Sequence, residues 1–257
     1  MDSVAIISDI HGNIPALDAV LQDIKRREIT RIICLGDLVG KGPGSAEAVD
    51  RIKAVCENVV QGNWDLGITS PQDLPAGQWH QEQLGAERLA YLEQLPFSVD
   101  VRLSGKLIRL FHASAQSVFH RLKRKASKEE RLAVFENTAM TGTPLDGRQP
   151  DIIGYGDIHI PYLLTIKSPR QNESTIPACQ GLTLFNVGSV GTPYDGNPQA
   201  CYCIVEGETD SSVPAGLSIQ FVRVPYDIEL AVRLAYEVEM PDRRRYELEI
   251  TSGLVHK

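Results

Sequence analysis

Short β-branched runs and helical spacings of apolar residues alternate along the first part of the chain. Val4 to Ser8 predicts a strand ending in Asp9-Ile10-His11-Gly12-Asn13, after which Leu17, Val20, Leu21 and Ile24 fall on one helix face. The pattern repeats with a strand at Arg31 to Leu35, a glycine-rich loop from Gly36 to Gly44, and a helix face of Ala48, Val49, Ile52 and Val55. A third strand, Asn58 to Gln61, follows. This βαβαβ order predicts a mainly parallel sheet covered by helices, with the natural site in the loops at the strand C-terminal ends.

Further along, Leu84, Leu89, Leu92 and Leu95 predict a helix, and strands follow around Phe97 to Leu103 and Lys106 to His112. Residues 113–150 read as an irregular, partly helical insertion near the site. Within it, Ser127-Lys128-Glu129-Glu130 has capping-box spacing and starts a helix through Leu132 and Phe135. Strands then dominate, at Asp151 to Gly154, Tyr162 to Ile166, Leu182 to Val187, Ala200 to Val205 and Leu217 to Val224. Asp227 caps a last helix presenting Ile228, Ala231, Val232 and Ala235. No Gly-, Ser- or Pro-rich linker divides the chain, so residues 1–257 are expected to form one domain.

The composition, 42% apolar and 23% charged over 257 residues, supports a full core and excludes wholesale disorder. Thirty-three acidic against 26 basic residues give a net charge of −7, which argues against general nucleic-acid binding. Five cysteines, Cys34, Cys56, Cys179, Cys201 and Cys203, lack CxxC spacing and are expected to be reduced thiols of a cytoplasmic protein. The apolar run from Val4 to Ile7 is too short for a signal-peptide core or a bilayer span, so no membrane partner is expected.

Polar groups gather immediately after the apolar strands, where a sheet can hold them in fixed geometry. They are Asp9 and His11; Gly36-Asp37; Gly62-Asn63-Trp64-Asp65; His112; and Gly156-Asp157-Ile158-His159. Taken singly, each has an ordinary reading as a helix cap, a turn residue or a hydrogen-bonded core histidine. Together they offer carboxylate, imidazole and amide oxygen and nitrogen, a mixed set that suits Mn²⁺, Fe or Zn²⁺ better than a calcium cage or a thiolate zinc site. Two such ions sharing a carboxylate serve phosphate-ester hydrolysis.

These motifs, in this order, resemble the D-x-H, GD, GN-x-[DE], lone H and G-H-x-H motifs of the calcineurin-like metallophosphoesterases. Gly36-Asp37-Leu38-Val39-Gly40-Lys41-Gly42-Pro43 is similar to the diadenosine-tetraphosphatase-like branch, and Asn186-Val187-Gly188-Ser189-Val190-Gly191 to a segment of small bacterial members. The resemblance implies a four-layer α/β/β/α sandwich of two mixed β-sheets flanked by helices. It implies hydrolysis of a small phosphorylated substrate by metal-activated water at a dinuclear centre, with Mn²⁺ preferred and Fe, Zn²⁺ or Ni²⁺ as alternatives. By the same resemblance Asp9, His11 and His159 ligate one ion, Asp37 bridges, and Asn63, His112 and Asp157 complete the other.

Two residues depart from the family pattern. Trp64 stands where many family members place a proton-donating histidine, and a tryptophan cannot act as a general acid. A phosphodiester or dinucleoside polyphosphate is therefore preferred to a simple monoester. Asp157 replaces the first histidine of G-H-x-H, adding a negative charge that favours a hard ion such as Mn²⁺. Asn13 and Asn63 are candidate substrate contacts, Trp64 a candidate stacking surface or plain packing, and Asp65 a candidate for orienting its neighbours. The basic run 121–131 places Arg124 and Lys125 as candidate contacts to a nucleotide or extended phosphate, against the alternative of a solvated face. Trp64 and Asp157 together also fit a rival reading, a catalytically weakened nucleotide-binding or regulatory protein with the same fold. The sequence assigns no oligomeric state.

Overall fold

The structure is a computed structural model that describes residues 1–144, 146–167, 181–209 and 211–256; Cys179 lies outside them. The expected βαβαβ unit is β1 (Asp2–Ile7), α1 (Ile14–Arg26), β2 (Arg31–Cys34), α2 (Ser45–Val55) and β3 (Asn58–Val59). Next come α3 (Asn63–Thr69), α4 (Pro75–Glu93), β4 (Ser98–Leu103), β5 (Lys106–Phe111) and α5 (Lys128–Ala133). The chain continues through β6 (Ile152–Tyr155), β7 (Tyr162–Ile166), β8 (Leu182–Asn186), β9 (Ala200–Gly207) and β10 (Ser218–Val224) to α6 (Ile228–Glu237) and α7 (Arg243–Ser252).

The strands form two mixed five-stranded sheets, in the orders β10-β9-β1-β2-β3 and β4-β5-β6-β8-β7. In the first, β1, β2 and β3 pair in parallel and β9 returns antiparallel along β1. In the second, β5, β6 and β8 are parallel, with β4 and β7 antiparallel at the edges. Side chains alternate across each strand, so an apolar run buries both faces. Val4, Ile6, Ile33 and Leu35 pack between the sheets with Ile108, Leu110, Ile152 and Phe185. Ala5, Ile7, Ile32 and Cys34 belong instead to a core with Leu17, Val20 and Ile24 of α1 and Ala48, Val49 and Ile52 of α2.

The outer face of the second sheet is covered by the 113–150 segment. Its Leu122, Val134 and Phe135 pack with Phe111, Ile153, Tyr155 and Leu184. Ser127 Oγ accepts the Glu130 N–H at 3.1 Å while Glu130 accepts from the Ser127 N–H at 2.7 Å, the capping box expected from the sequence. Three helices exceed what the apolar spacing showed. α3 opens directly at the Gly62-Asn63 motif, and α4 starts at Pro75 and contains a kink at Gly85 (φ 67°) that breaks its apolar face. The unforeseen α7 begins with three arginines and buries Glu249 beside Tyr246 and Ile250, so its inward face carries no apolar stripe. Among the described residues Cys34, Cys56, Cys201 and Cys203 are free thiols, and no helix is long and apolar enough to cross a membrane.

One buried titratable group ties α4 to the site-bearing layer. His80 is 3% exposed and its Nδ1 lies 3.2 Å from Ser45 Oγ at the start of α2. Burial pushes this imidazole down to about 4. The unfolded chain, with an ordinary value near 6.5, therefore takes up a proton first as pH falls between those values. Stability drops across that window by about 3 kcal/mol in total. His80→Gln should remove this part of the acid sensitivity: in urea melts at pH 7 and pH 4.5 the wild type loses more stability than the variant, and equal losses would contradict the assignment.

Candidate metal centre

Five parallel strand ends, three from the first sheet and two from the second, deliver the candidate ligands to one edge of the sandwich. Asp9 and His11 follow β1, Asp37 follows β2, Asn63 follows β3, His112 follows β5, and Asp157 and His159 follow β6. The segment after β8 closes the edge: Ser189 Oγ donates to Asp9 O at 2.9 Å, and Asn186 Nδ2 donates to Gly156 O. The turns are tight enough to force the left-handed region on Asp9 (φ 56°), His11 (48°), Asp37 (54°), Asp157 (63°) and His159 (57°). Asp tolerates that region better than most residues, yet each such residue still costs of order 1 kcal/mol or more, a concentration of strain characteristic of functional sites.

The three histidines are oriented in the same way. His11 Nδ1 lies 2.9 Å from Val39 O, His112 Nδ1 2.8 Å from Leu35 O, and His159 Nδ1 2.6 Å from Thr192 O. A carbonyl only accepts, so each Nδ1 carries a proton and each ring turns its Nε2 toward the site. Those nitrogens meet carboxylate oxygens. His159 Nε2 is 3.1 Å from Asp9 Oδ1, and Asp37 Oδ2 is 3.5 Å from both His11 Nε2 and His112 Nε2. Asp9 Oδ1 and His11 Nε2 are buried without a hydrogen-bond partner.

Ligand atoms of Asp9, His11 and His159, and again of Asp9, Asp37 and His112, all lie within 4.8 Å of one another. Asn63 Oδ1 stands 2.9 Å from His112 Nε2. Burial pushes the His11 imidazole well below its ordinary value, reinforced by Lys41 and His159, which keeps its Nε2 a free donor to a cation. Burial opposes ionisation of Asp9, but His159, His112 and His11 hold its carboxyl well below the usual carboxylate range. Burial likewise opposes charge on His112, yet Asp37, Asp9 and Asp157 raise its imidazole to about 10. Acceptors facing acceptors and a cluster that recruits positive charge are what divalent cations bound by mixed oxygen and nitrogen ligands resolve, so the residues fit such ions.

Asp65 serves this cluster from beneath. Its carboxylate accepts the backbone N–H groups of Asp37 at 2.8 Å, Leu38 at 2.9 Å and Gly62 at 3.0 Å, locking the second and third strand ends together. Burial and the adjacent Asp37 push its carboxyl up to about 7, while the bonds from Gly62 and Leu38 pull the other way. Gly62 must be glycine here, because a Cβ would stand 2.2 Å from the Asp37 nitrogen and Oδ1. The spacing of Asp65 three residues after Gly62 was the signal for this role.

Other candidates land differently from the expectation. Asp157 is held by Arg121 through bonds of 2.8 and 2.9 Å and lies outside the two convergent groups, with Oδ1 4.0 Å from His112 Nε2. Its extra negative charge is thus matched by an arginine that the charge argument from sequence omitted. Within the basic run it is Arg121 that lines the cavity over the ligands, whereas Arg124 and Lys125 are exposed and do not. Asn13 is fully buried as the cap of α1. Its Oδ1 accepts the Ala16 N–H at 3.2 Å and its Nδ2 donates to Gly191 O at 2.8 Å, so its amide is committed to the fold instead of to a substrate phosphate. Lys41, Tyr194 and Arg245 also line the cavity and were not singled out by sequence. Tyr194 stacks on His159 with ring centroids 4.6 Å apart.

A buried set of carboxylates and imidazoles at the C-terminal edge of a two-sheet sandwich defines a candidate metal-binding centre. The calcineurin-like phosphoesterase superfamily domain matches residues 3–210. The uncharacterized protein MJ0912 of Methanocaldococcus jannaschii is 32% identical over 251 residues, covering 89% of each chain. The chain therefore belongs to the calcineurin-like phosphoesterase superfamily, a family of metal-dependent phosphoesterases. A metallophosphoesterase from Sphaerobacter thermophilus superposes with a TM-score of 0.74 at 26% identity, covering 98% of this chain and all of that one. The hypothetical protein PH1004 from Pyrococcus horikoshii OT3 shares the fold with a TM-score of 0.75 at 20% identity over the full length of both chains.

Metal removal tests the cluster directly. Chelated protein should gain thermal stability when Mn²⁺ is restored, by about 2.7 kcal/mol at a hundredfold excess over Kd. Asp37→Asn should lose most of that gain and carry less metal by plasma emission analysis. A wild-type melting temperature indifferent to Mn²⁺, Zn²⁺ and Ni²⁺ would contradict the site.

Proposed function

We propose that this protein hydrolyses phosphodiesters or dinucleoside polyphosphates at a dinuclear centre, with Mn²⁺ as the preferred ion. The observation that carries the reading is Asp37 Oδ2, placed at equal distances of 3.5 Å from the His11 and His112 nitrogens, the position of a carboxylate shared between two ions. Asp9, His11 and His159 would hold one ion, and Asp37, His112 and Asn63 the other. When bound, such ions polarise a phosphoryl oxygen and lower the pKa of water.

The protein's own groups do the rest. Asp65 and the three backbone carbonyls that accept from the histidines keep the ligands pre-arranged, so little reorganisation accompanies substrate binding. Lys41 at the cavity wall supplies positive charge toward a phosphate, the charge of Arg121 being matched by Asp157. The Trp64 N–H of the backbone donates to Asp37 Oδ1 at 2.8 Å, while its indole stands edge-on to His11 with centroids 5.7 Å apart. The indole N–H is too weakly acidic to protonate a departing alkoxide. That favours leaving groups stable as anions, such as a phosphate or an activated alcohol, over a simple alkyl monoester.

Assays of Mn²⁺-, Fe²⁺-, Ni²⁺- and Zn²⁺-loaded protein on bis(p-nitrophenyl) phosphate, the alkyl monoester glycerol 2-phosphate and diadenosine tetraphosphate test this. The diester or the polyphosphate should be turned over faster than the monoester, and Asp37→Asn should lower kcat by at least ~10²-fold. Tight nucleotide binding without turnover under every metal would instead establish a binding protein.

A further inference from the structure

A cavity of about 520 Å³ opens beside the ligand cluster, between α3, the start of α4 and α7. It shares Lys41, Trp64 and Arg245 with the smaller cavity over Asp37, Asp157 and His159. Its size falls in the range of about 300–1,000 Å³ that small-molecule sites use. The chemistry of the walls changes with distance from the cluster. At the shared boundary Lys41 and Arg245 flank Glu249, with Arg245 Nε 3.0 Å from its carboxylate, leaving one net positive charge. Farther in, the walls are Leu74, Pro241 and Tyr246, and the charged side chains there are Asp73 and Asp242. Carboxylates repel a second phosphate but accept hydrogen bonds from hydroxyl or amino groups. The far end therefore suits an uncharged group with an apolar body and polar edges.

Two features point to an occupant that is flat and aromatic. Trp64, 37% exposed, lies on the boundary with its ring seated over Gly40, where a Cβ would come within 2.1 Å of the indole. A fixed indole of this kind is a stacking platform, worth about 1–3 kcal/mol to a base. Tyr246, 2% exposed, lines the cavity and its hydroxyl has no hydrogen-bond partner among the described residues. A buried hydroxyl left unpaired is costly, and a ligand's polar edge would complete it.

We propose that this cavity is a nucleoside subsite: the substrate's phosphorus lies over the ligand cluster, its phosphate oxygens pass Lys41 and Arg245, and its base stacks on Trp64 with Tyr246 at its polar edge. This rests on the phosphoesterase reading above and names the substrate class for it, a nucleoside phosphodiester or polyphosphate.

Two esters with a common p-nitrophenolate leaving group test it, thymidine 5′-(p-nitrophenyl phosphate) and methyl p-nitrophenyl phosphate, with Mn²⁺-loaded protein. The nucleoside ester should have a kcat/KM at least ~10-fold higher, the size expected for one stacked base. Trp64→Leu and the cavity-filling Ala76→Phe should bring the ratio toward one. Tyr246→Phe, which removes only the hydroxyl and spares the packing, should lower it severalfold. Titration of metal-free protein with adenosine, followed by calorimetry, should give saturable binding that Trp64→Leu weakens about tenfold. Hydrolysis of both esters at equal efficiency overturns the subsite and leaves the phosphoesterase standing. Adenosine binding without hydrolysis of either ester overturns the phosphoesterase reading, and with it the substrate class, while retaining a nucleoside pocket.

Discussion

Two carboxylates and three imidazoles are buried together, in two sets whose polar atoms lie within 4.8 Å of one another, and nothing apolar can satisfy them. Asp9 is fully buried and Asp37 nearly so, and ionised groups taken out of water are tolerated only beside compensating charge. In the bare protein His112 supplies part of that charge, held protonated by the carboxylates around it. Divalent ions supply it more completely, because they satisfy the orphaned Asp9 Oδ1 and His11 Nε2 as well. The rest of the structure follows from having to hold these groups together.

That requirement explains why two sheets are used. A single parallel sheet presents its loops along one edge in a row, whereas two sheets packed face to face bring β1, β2 and β3 opposite β5, β6 and β8. The shared core of Ile6, Ile33, Leu110 and Phe185 sets the spacing of those strand ends. Left-handed backbone at Asp9, His11, Asp37, Asp157 and His159 is unfavourable locally. It is sustained by bonds that cross between loops, such as Asp9 N–H to Gly36 O and His11 N–H to Asp37 O, and by the grip of Asp65 on three N–H groups.

The succession of elements along the chain and the polar residues that follow the strands could be read from sequence because both rest on short-range signals. Apolar runs of four to six residues mark β1, β2 and β5, and the polar residues that follow them point to a site when taken together. What sequence could not supply was long-range pairing. Arg121 and Asp157 are 36 residues apart, and nothing local distinguished Arg121 from Arg124 or Lys125. Asn13 looked equally suited to cap or to bind until Gly191 O, 178 residues away, was seen to accept from its amide. α7 escaped notice because Glu249, paired with Lys41 and Arg245, occupies a position that an amphipathic pattern reserves for an apolar residue.

The same element joins the metal site to its neighbouring cavity. Lys41 lies in the loop after β2 and Arg245 on α7, so the boundary between the two cavities is built from opposite ends of the chain. The family match covers residues 3–210, and α7 lies beyond it. Everything in this account depends on the ligand cluster being a two-ion site. Anomalous diffraction at the manganese edge from crystals of Mn²⁺-loaded protein tests that most directly. Two peaks per chain are predicted, one coordinated by Asp9, His11 and His159 and one by Asp37, His112 and Asn63. A single peak, or manganese bound elsewhere with the cluster empty, would contradict it.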